Sequence, residues 1–270
     1  MKLKYLGTGA SEGFPGVFCQ CDACKRARGL GGKNLRRRSS AVLDGRILID
    51  IPPDLYSSSL MQGVDLSQVP NIVVTHVHED HFYLHELSNF TQPFAHRIDG
   101  PTVRFHGSVT VRDAFEAKYG DELDGLVQMV TLDAFEPTRV GGHTVTALPA
   151  SHGAGVSFIY VFEREGKRLL YANDTGLPSE VVWQYLQGKR LDMVSMDCTS
   201  IIGESYAAHM TISDNLKLRQ RLRDMGSADD ATVFVATHFS HNGILMHEEI
   251  EARFAGTGVR VAYDGFEVEV

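Results

Sequence analysis

The chain has 270 residues, 43% of them hydrophobic, and a formal net charge of −8; the length and apolar content suit one large α/β domain over 1–270, and the charge excludes a general attraction to nucleic acid or anionic membrane. No apolar run approaches the roughly 18 residues that cross a bilayer, and the N-terminal Met-Lys-Leu-Lys-Tyr-Leu-Gly lacks the apolar core of a signal peptide, so the expected location is cytoplasmic, with no membrane partner. Of the four cysteines, three crowd into Cys19-Gln-Cys21-Asp-Ala-Cys24, which in a reducing compartment points to metal binding before disulfides.

Residues 2–6 read as an opening strand that runs into the tight turn Gly7-Thr8-Gly9-Ala10. A dinucleotide loop would need its third glycine one place before Gly13 and a helix where Phe14-Pro15-Gly16 stands, so the glycines are read as a close backbone passage beneath a site. The cysteine loop can supply three corners of a tetrahedral zinc site, the fourth ligand coming from elsewhere. Arg36, Arg37 and Arg38 form a basic patch, expected to be a solvated loop or, in a sharper reading, an anion contact near the substrate. Residues 41–43 and 46–49 make a hairpin turned at Asp44-Gly45. Asp50 closes it, either orienting a metal-binding histidine or capping the turn. Pro52-Pro53 then break the chain before a helix at about 54–61.

Ile72, Val73 and Val74 are a β-branched run suited to a strand buried on both faces. It ends at Thr75, and His76, His78, Asp80 and His81 follow, where α/β sheets place their chemistry. Over 82–100 the aromatic residues Phe82, Tyr83, Phe90 and Phe94 stand beside His85 and His96; most are expected in the core, with a pocket wall as the alternative. Strands are expected at 103–105, 127–132 and 143–148, with His106 and His143 structural or surface histidines. Ser151-His152-Gly153 again puts a histidine at a strand end. A strand pair at 157–162 and 168–171 leads to Asn173-Asp174-Thr175-Gly176, where one carboxylate can reach two metals.

A helix over 178–187 carries Pro178 in its first turn. A buried strand at 193–196 delivers Asp197, with Cys198 a buried filler. His209 precedes a helix at about 213–225 with Ser213 as N-cap and an apolar stripe of Leu216, Leu218 and Leu222. A strand at 233–236 ends in Thr237-His238-Phe239-Ser240-His241, a helix spans about 246–254, and 259–263 with Val268 and Val270 supply the last strands. Two halves, each of strands followed by helices, imply an αβ/βα sandwich.

The order His76-x-His78-x-Asp80-His81, His152, Asp174, His238 resembles the five-motif pattern of the metallo-β-lactamase superfamily. That resemblance implies its α/β four-layer sandwich, with His76, His78 and His152 on one ion, Asp80, His81 and His238 on the other, and Asp174 bridging; zinc, manganese or iron suits such ligands. Within the superfamily the chain is similar to the PhnP-type phosphodiesterases that open a phosphoribosyl cyclic phosphate. The likeness lies in Leu6-Gly7-Thr8-Gly9, the cysteine loop, Leu48-Ile49-Asp50, Thr75 through His81, Asp174-Thr175-x-Leu177-Pro178, Met196-Asp197-Cys198 and Thr237-His238-x-Ser240-His241. It implies a structural zinc on Cys19, Cys21, Cys24 and His241. It also implies a small phosphodiester substrate, and His209, Asp80 and Asp197 as catalytic candidates, with His209 over the phosphate or leaving group and Asp197 its partner. The stretch after His81 departs from that pattern. Thr237-His238-Phe239-Ser240 and His209 also resemble ribonuclease Z, but no glycine- and proline-rich arm is present for tRNA. Gly13-Phe14-Pro15 with the cysteines resembles the accessory protein PqqB. Assembly as a homodimer is left open.

Overall fold

A computed structural model describes residues 1–96, 102–203 and 208–270. The first half contains β1 (Lys2–Gly7), α1 (Asp22–Leu30), β2 (Ser40–Leu43), β3 (Ile47–Ile49), α2 (Leu55–Met61), β4 (Asn71–Val73), β5 (Val103–Gly107), α3 (Val109–Tyr119) and β6 (Val127–Thr131). The second contains β7 (Pro137–Val140), β8 (His143–Pro149), β9 (Phe158–Arg164), β10 (Lys167–Ala172), α4 (Glu180–Leu186), β11 (Met193–Asp197), α5 (Ile212–Asp224), β12 (Val233–Thr237), α6 (His247–Arg253), β13 (Val259–Val261) and β14 (Glu267–Glu269).

Two seven-stranded sheets result, ordered β14-β1-β2-β3-β4-β5-β6 and β13-β12-β11-β10-β9-β8-β7. Strand alternation sorts each side chain to one face or the other. Ile47 and Ile49 of β3 and Leu169 and Tyr171 of β10 face the space between the sheets, where Tyr5, Tyr160 and Phe162 join them. Leu48 and Ile72 face outward onto Leu55 of α2 and Val111, Phe115 and Tyr119 of α3. On the other side, Leu170, Val194 and Phe234 meet Trp183 of α4, Leu218 and Leu222 of α5 and Ile250 of α6. Helix, sheet, sheet and helix therefore stack as the αβ/βα sandwich. No helix among the described residues is long and apolar enough to cross a membrane.

Each sheet is part antiparallel and part parallel: β3-β4-β5-β6 run parallel in one and β10-β11-β12-β13 in the other. The carboxyl ends of both parallel sets open on the same edge of the sandwich, where Asp50, His76, Asp174, Asp197 and His238 meet.

Several local expectations are corrected. Helix α5 starts at Ile212 with Thr211 as its N-cap, because the Thr211 hydroxyl and the Asp214 carboxylate exchange bonds with each other's backbone N–H, a reciprocal box that Ser213 cannot close. Ser179 flanks α4, so Pro178 lies before its first turn. The sequence reading assigns no element to α1 or α3. Yet Val111, Phe115 and Tyr119 form a buried stripe four residues apart, and the Ser108 hydroxyl accepts from Val111 N–H at 3.4 Å as a cap.

The basic patch is tied into the fold and is not a freely solvated loop. Arg36 is buried; its guanidinium donates to Thr8 Oγ1 (2.8 Å) and the Ala262 carbonyl (2.7 Å) and lies over the Phe239 ring. Arg37 pairs with Asp264 and Arg38 with Asp54. Of the aromatics after His81, Phe82 and Phe90 pack on Phe105, while Phe94 is exposed; residues 97–100 of that segment lie outside the described ones. His106 is buried with Nδ1 3.1 Å from the Ile72 carbonyl, and His143 is buried with Nε2 2.8 Å from Asp44, so both are structural. Cys198 is fully buried in the core.

Candidate metal centre and the pocket above it

Three of the side chains at the shared edge leave their strands through left-handed backbone: Asp50 (φ 63°), Asp174 (φ 50°) and His238 (φ 63°). A non-glycine residue there costs about 1 kcal/mol or more, and such strain collects where a side chain must be aimed. Asp50 and His238 directly follow their strands and Asp174 stands two residues beyond the end of β10, and the kink turns each side chain into the site.

Asp174 lies at the centre and is buried. Its Oδ2 is 3.2 Å from His76 Nε2, 3.3 Å from His81 Nε2, 3.5 Å from His152 Nε2 and 4.0 Å from His238 Nε2. His78 Nδ1 is 3.0 Å from His76 Nε2 and 3.1 Å from His152 Nε2, and His81 Nε2 is 3.2 Å from His238 Nε2. Asp80 Oδ2 lies 3.3 Å from His81 Nε2. The ligand atoms of His76, His78, His152 and Asp174 thus come together as one group, and those of Asp80, His81, Asp174 and His238 as a second, sharing Asp174.

The donor set fits divalent metals. Nitrogens about 2.05 Å from a tetrahedral ion stand roughly 3.3 Å apart, the spacing seen here. Imidazoles aiming ring nitrogens at one another at 3.0–3.2 Å have too few protons to satisfy every lone pair, and a cation between them resolves this. Burial, then the neighbouring His81, pushes His76 down to about 4, so its lone pair stays free. Burial also opposes charge on His81, but Asp50, Asp174 and Asp80 outweigh it and raise its pKa well above the usual histidine range. Three carboxylates around one imidazole demand positive charge, as proton or metal. Burial raises Asp80 and Asp174, yet the surrounding histidines win and hold both carboxyls well below the usual range.

The tautomers are set from behind. Asp50, fully buried, takes His81 Nδ1 at 2.7 Å and accepts from the Thr75 N–H at 2.8 Å and the Thr75 hydroxyl. Thr75 Oγ1 in turn sits 3.0 Å from His76 Nδ1. On the opposite wall, His238 Nδ1 meets Thr199 Oγ1 at 2.7 Å, and that hydroxyl donates to Asp197 Oδ2 at 2.7 Å. Both relays occupy Nδ1 and leave Nε2 facing the cluster. Asp50 orients a histidine, which decides between its two sequence readings. Thr199 was invisible in the sequence, since its partner is 39 positions away; the Asp-x-Thr spacing signals only a local turn.

Asp197 and His209 can be grouped with Asp174 and His238 as a further candidate set. Asp197 is poorly placed to serve as a ligand, because Oδ1 already accepts from Met210 N–H and Thr199 N–H and Oδ2 from the Thr199 hydroxyl. His209 Nδ1 stands 3.0 Å from Asp174 Oδ1 and 3.6 Å from Asp197 Oδ2. Burial lowers its pKa, but these two carboxylates outweigh it and lift it to about 10. A cavity of about 560 Å³ opens over the cluster, with His78, His152, Asp174, His209 and His238 in its wall. Tyr83 and the other aromatics after His81 do not contribute to it.

A second constellation lies at the rim. Cys21 is the N-cap of α1, its sulfur accepting from Cys24 N–H at 3.4 Å. Cys19 Sγ and Cys21 Sγ are each 3.5 Å from His241 Nδ1, and with Cys24 the four form one group. Thiolate and imidazole on one zinc ion stand roughly 3.6 Å apart, so this set also fits a metal. The Cys24 N–H and then His241 lower the Cys21 thiol to about 6, whereas burial raises Cys24 to about 12.

A family model described as beta-lactamase superfamily domain matches residues 45–239. The octanoyltransferase of Porphyromonas gingivalis (strain ATCC BAA-308 / W83) is 36% identical over 83 residues, 30% of this chain and 16% of that protein, so the match spans about one sixth of that relative's length. Among solved structures, a diphosphatase from the PhnP family superposes with TM-score 0.78 at 24% identity, over 100% of this chain and 96% of the other. Zn²⁺-bound PqqB from Methylobacterium extorquens gives 0.77 at 18%, covering 100% of both chains. The human short-form tRNase Z gives 0.66 at 17%, over 100% and 99%. At these identities the likeness is one of fold.

Proposed function

Because this chain belongs to the beta-lactamase superfamily, we propose that it is a binuclear metal-dependent phosphodiesterase acting on a small, cyclic phosphodiester. The observation that carries the reading is Asp174 Oδ2, set within 3.2–4.0 Å of four histidine nitrogens from two candidate groups. His76, His78 and His152 would hold one ion and Asp80, His81 and His238 the other, with Asp174 between. A divalent pair there supplies Lewis acidity to phosphoryl oxygens and a water acidic enough to act as nucleophile near neutral pH.

The chain's own residues supply orientation and the proton. Asp50 with Thr75, and Asp197 with Thr199, hold the imidazoles in one tautomer, so the site needs little reorganisation when substrate enters. His209, whose Nδ1 lies 3.0 Å from Asp174 Oδ1 and 3.6 Å from Asp197 Oδ2, lines the pocket where a leaving oxygen must depart. Attack forms a bond from water oxygen to phosphorus and breaks the ester P–O bond; the attacking water releases one proton to solvent and the departing alkoxide takes another from His209, which is reprotonated from solvent, giving a phosphomonoester and a free hydroxyl.

The test is metal counting together with turnover on ribose 1,2-cyclic phosphate, bis(p-nitrophenyl) phosphate and an octanoyl thioester, the last because of the partial likeness to an octanoyltransferase. Hydrolysis of the phosphodiesters with about two site metals per chain is expected. Thioester hydrolysis alone replaces the substrate class. An inert protein with a filled centre favours an accessory role of the PqqB kind.

A further inference from the structure

The pocket over the candidate centre contains no lysine or arginine among the described residues that line it. Residues 204–207 are Glu, Ser, Tyr and Ala, so they bring no such cation either. The three arginines of the basic patch are held by Thr8, Asp264 and Asp54 and none is in the wall. A carboxylate is there instead: Glu12, on the loop after β1, with its side chain 29% exposed.

Glu12 is fixed in place. Its Oε1 accepts from the Ser240 hydroxyl at 2.5 Å and lies 3.6 Å from His241 Nε2, and its Oε2 is 3.4 Å from the Ser11 hydroxyl. An ionised carboxylate has about four acceptor positions, so these contacts leave capacity facing the cavity. Around it the wall offers neutral polar groups, Ser11, Ser200, Ser240 and Asn242. That chemistry suits hydroxyl groups, which can donate to a carboxylate, and repels a second anion.

Charge counting points the same way. Two divalent cations against Asp80 and Asp174 leave a formal charge of about +2, the His209 cation and its neighbour Asp197 cancel, and Glu12 lowers the total to about +1. A phosphodiester monoanion balances that. A further phosphomonoester adds about −1.5 to −2, with no lysine or arginine among the described lining residues to receive it and Glu12 to oppose it.

Building on the phosphodiesterase reading, we propose that the substrate is a phosphodiester whose scissile group is its sole ionised group, and that Glu12 selects it by accepting hydrogen bonds from hydroxyls on its polyol portion. The 5-phosphorylated forms of such sugars are excluded, as are pyrophosphate diesters. Glu12 is then a specificity residue, remote from the reacting phosphorus.

The experiment compares ribose 1,2-cyclic phosphate with its 5-phosphate and with a pyrophosphate diester, on metal-loaded wild-type protein and Glu12→Gln, with bis(p-nitrophenyl) phosphate turnover as the check on phosphodiesterase activity itself. The wild type is expected to prefer the unphosphorylated sugar by tenfold or more in kcat/KM, about 1.4 kcal/mol, through KM. Glu12→Gln should raise KM for that sugar and lower it for the 5-phosphate, shrinking the ratio, with kcat for the sugar little changed. Calorimetric titration with ribose and ribose 5-phosphate should show the same reversal without turnover. A wild type that prefers the 5-phosphate or the pyrophosphate diester, or a ratio that Glu12→Gln leaves unmoved, overturns the proposal while bis(p-nitrophenyl) phosphate is still hydrolysed. No turnover of any phosphodiester overturns the underlying reading, and the binding titration then decides on Glu12 alone.

Discussion

The two candidate metal constellations differ in how the chain builds them. The cysteine set is largely local: three thiols lie within 19–24 and only His241 arrives from afar. Its sulfurs are oriented by a helix N-terminus, and Cys24 is packed against Phe14, Ala27 and Met246. The histidine and aspartate set draws on residues from 76 to 238, delivered by strand ends of both sheets and aimed through strained backbone. The four side chains of the cysteine set can fill all four positions of a tetrahedral ion, which is the pattern of a structural site; the larger set opens onto the cavity of about 560 Å³ that His209 lines, which is the pattern of a reactive one.

Substitutions should separate them. Asp174→Asn, or His152→Ala, is expected to reduce hydrolysis to background while the protein stays folded and keeps the metal of the cysteine set; near-normal turnover of metal-replete variants would remove the contrast. Asp50→Asn should leave all proposed ligands in place but weaken metal binding or activity by about 10–100-fold, read as chelator sensitivity. If it is silent, the Asp50–Thr75 relay does not orient His81. Cys21→Ser should cost about one zinc per chain and lower Tm while sparing kcat in the folded protein; loss of kcat in step with zinc would make the rim set catalytic.

The smallest effect is in pH. The folded-state Cys21 pKa is depressed from 9.0 to about 6, so the stabilisation from its thiolate is complete above pH 9 and is lost as pH falls through 6. Zinc release from the cysteine set, followed by a colorimetric chelator, should therefore steepen below pH 6 in the wild type and be absent in Cys21→Ser. A release profile flat from pH 7 to 5 would contradict this.

Much of the site was legible because its chemistry is punctuated by strand ends. A β-branched run that stops at Thr75 before four potential ligands, or a strand that stops at Asn173-Asp174, carries its own signature in residue type. The hairpin at Asp44-Gly45 was equally readable, since a turn is a local matter, although the pairing of Leu43 with Ile47 leaves Arg46 in the loop and starts β3 one residue later than expected. Helix α1 was hidden behind its cysteines, and the start of α5 was misplaced because Ser213 and Thr211 are both good caps, with only Asp214 choosing between them.

The sequence by itself determined which residue types could bind metal, in what order they occur, and how the strands alternate, for these follow from local propensity and side-chain chemistry. Tertiary structure decided what each group faces. It turned Arg36–Arg38 from a surface patch into internal ties, gave Asp50 and Thr199 their histidines, and set Glu12 in a pocket wall without lysine or arginine among its described residues. The physical reason is range: propensity acts over a few residues, whereas charge, burial and hydrogen bonding depend on neighbours that only the packing of two sheets brings together.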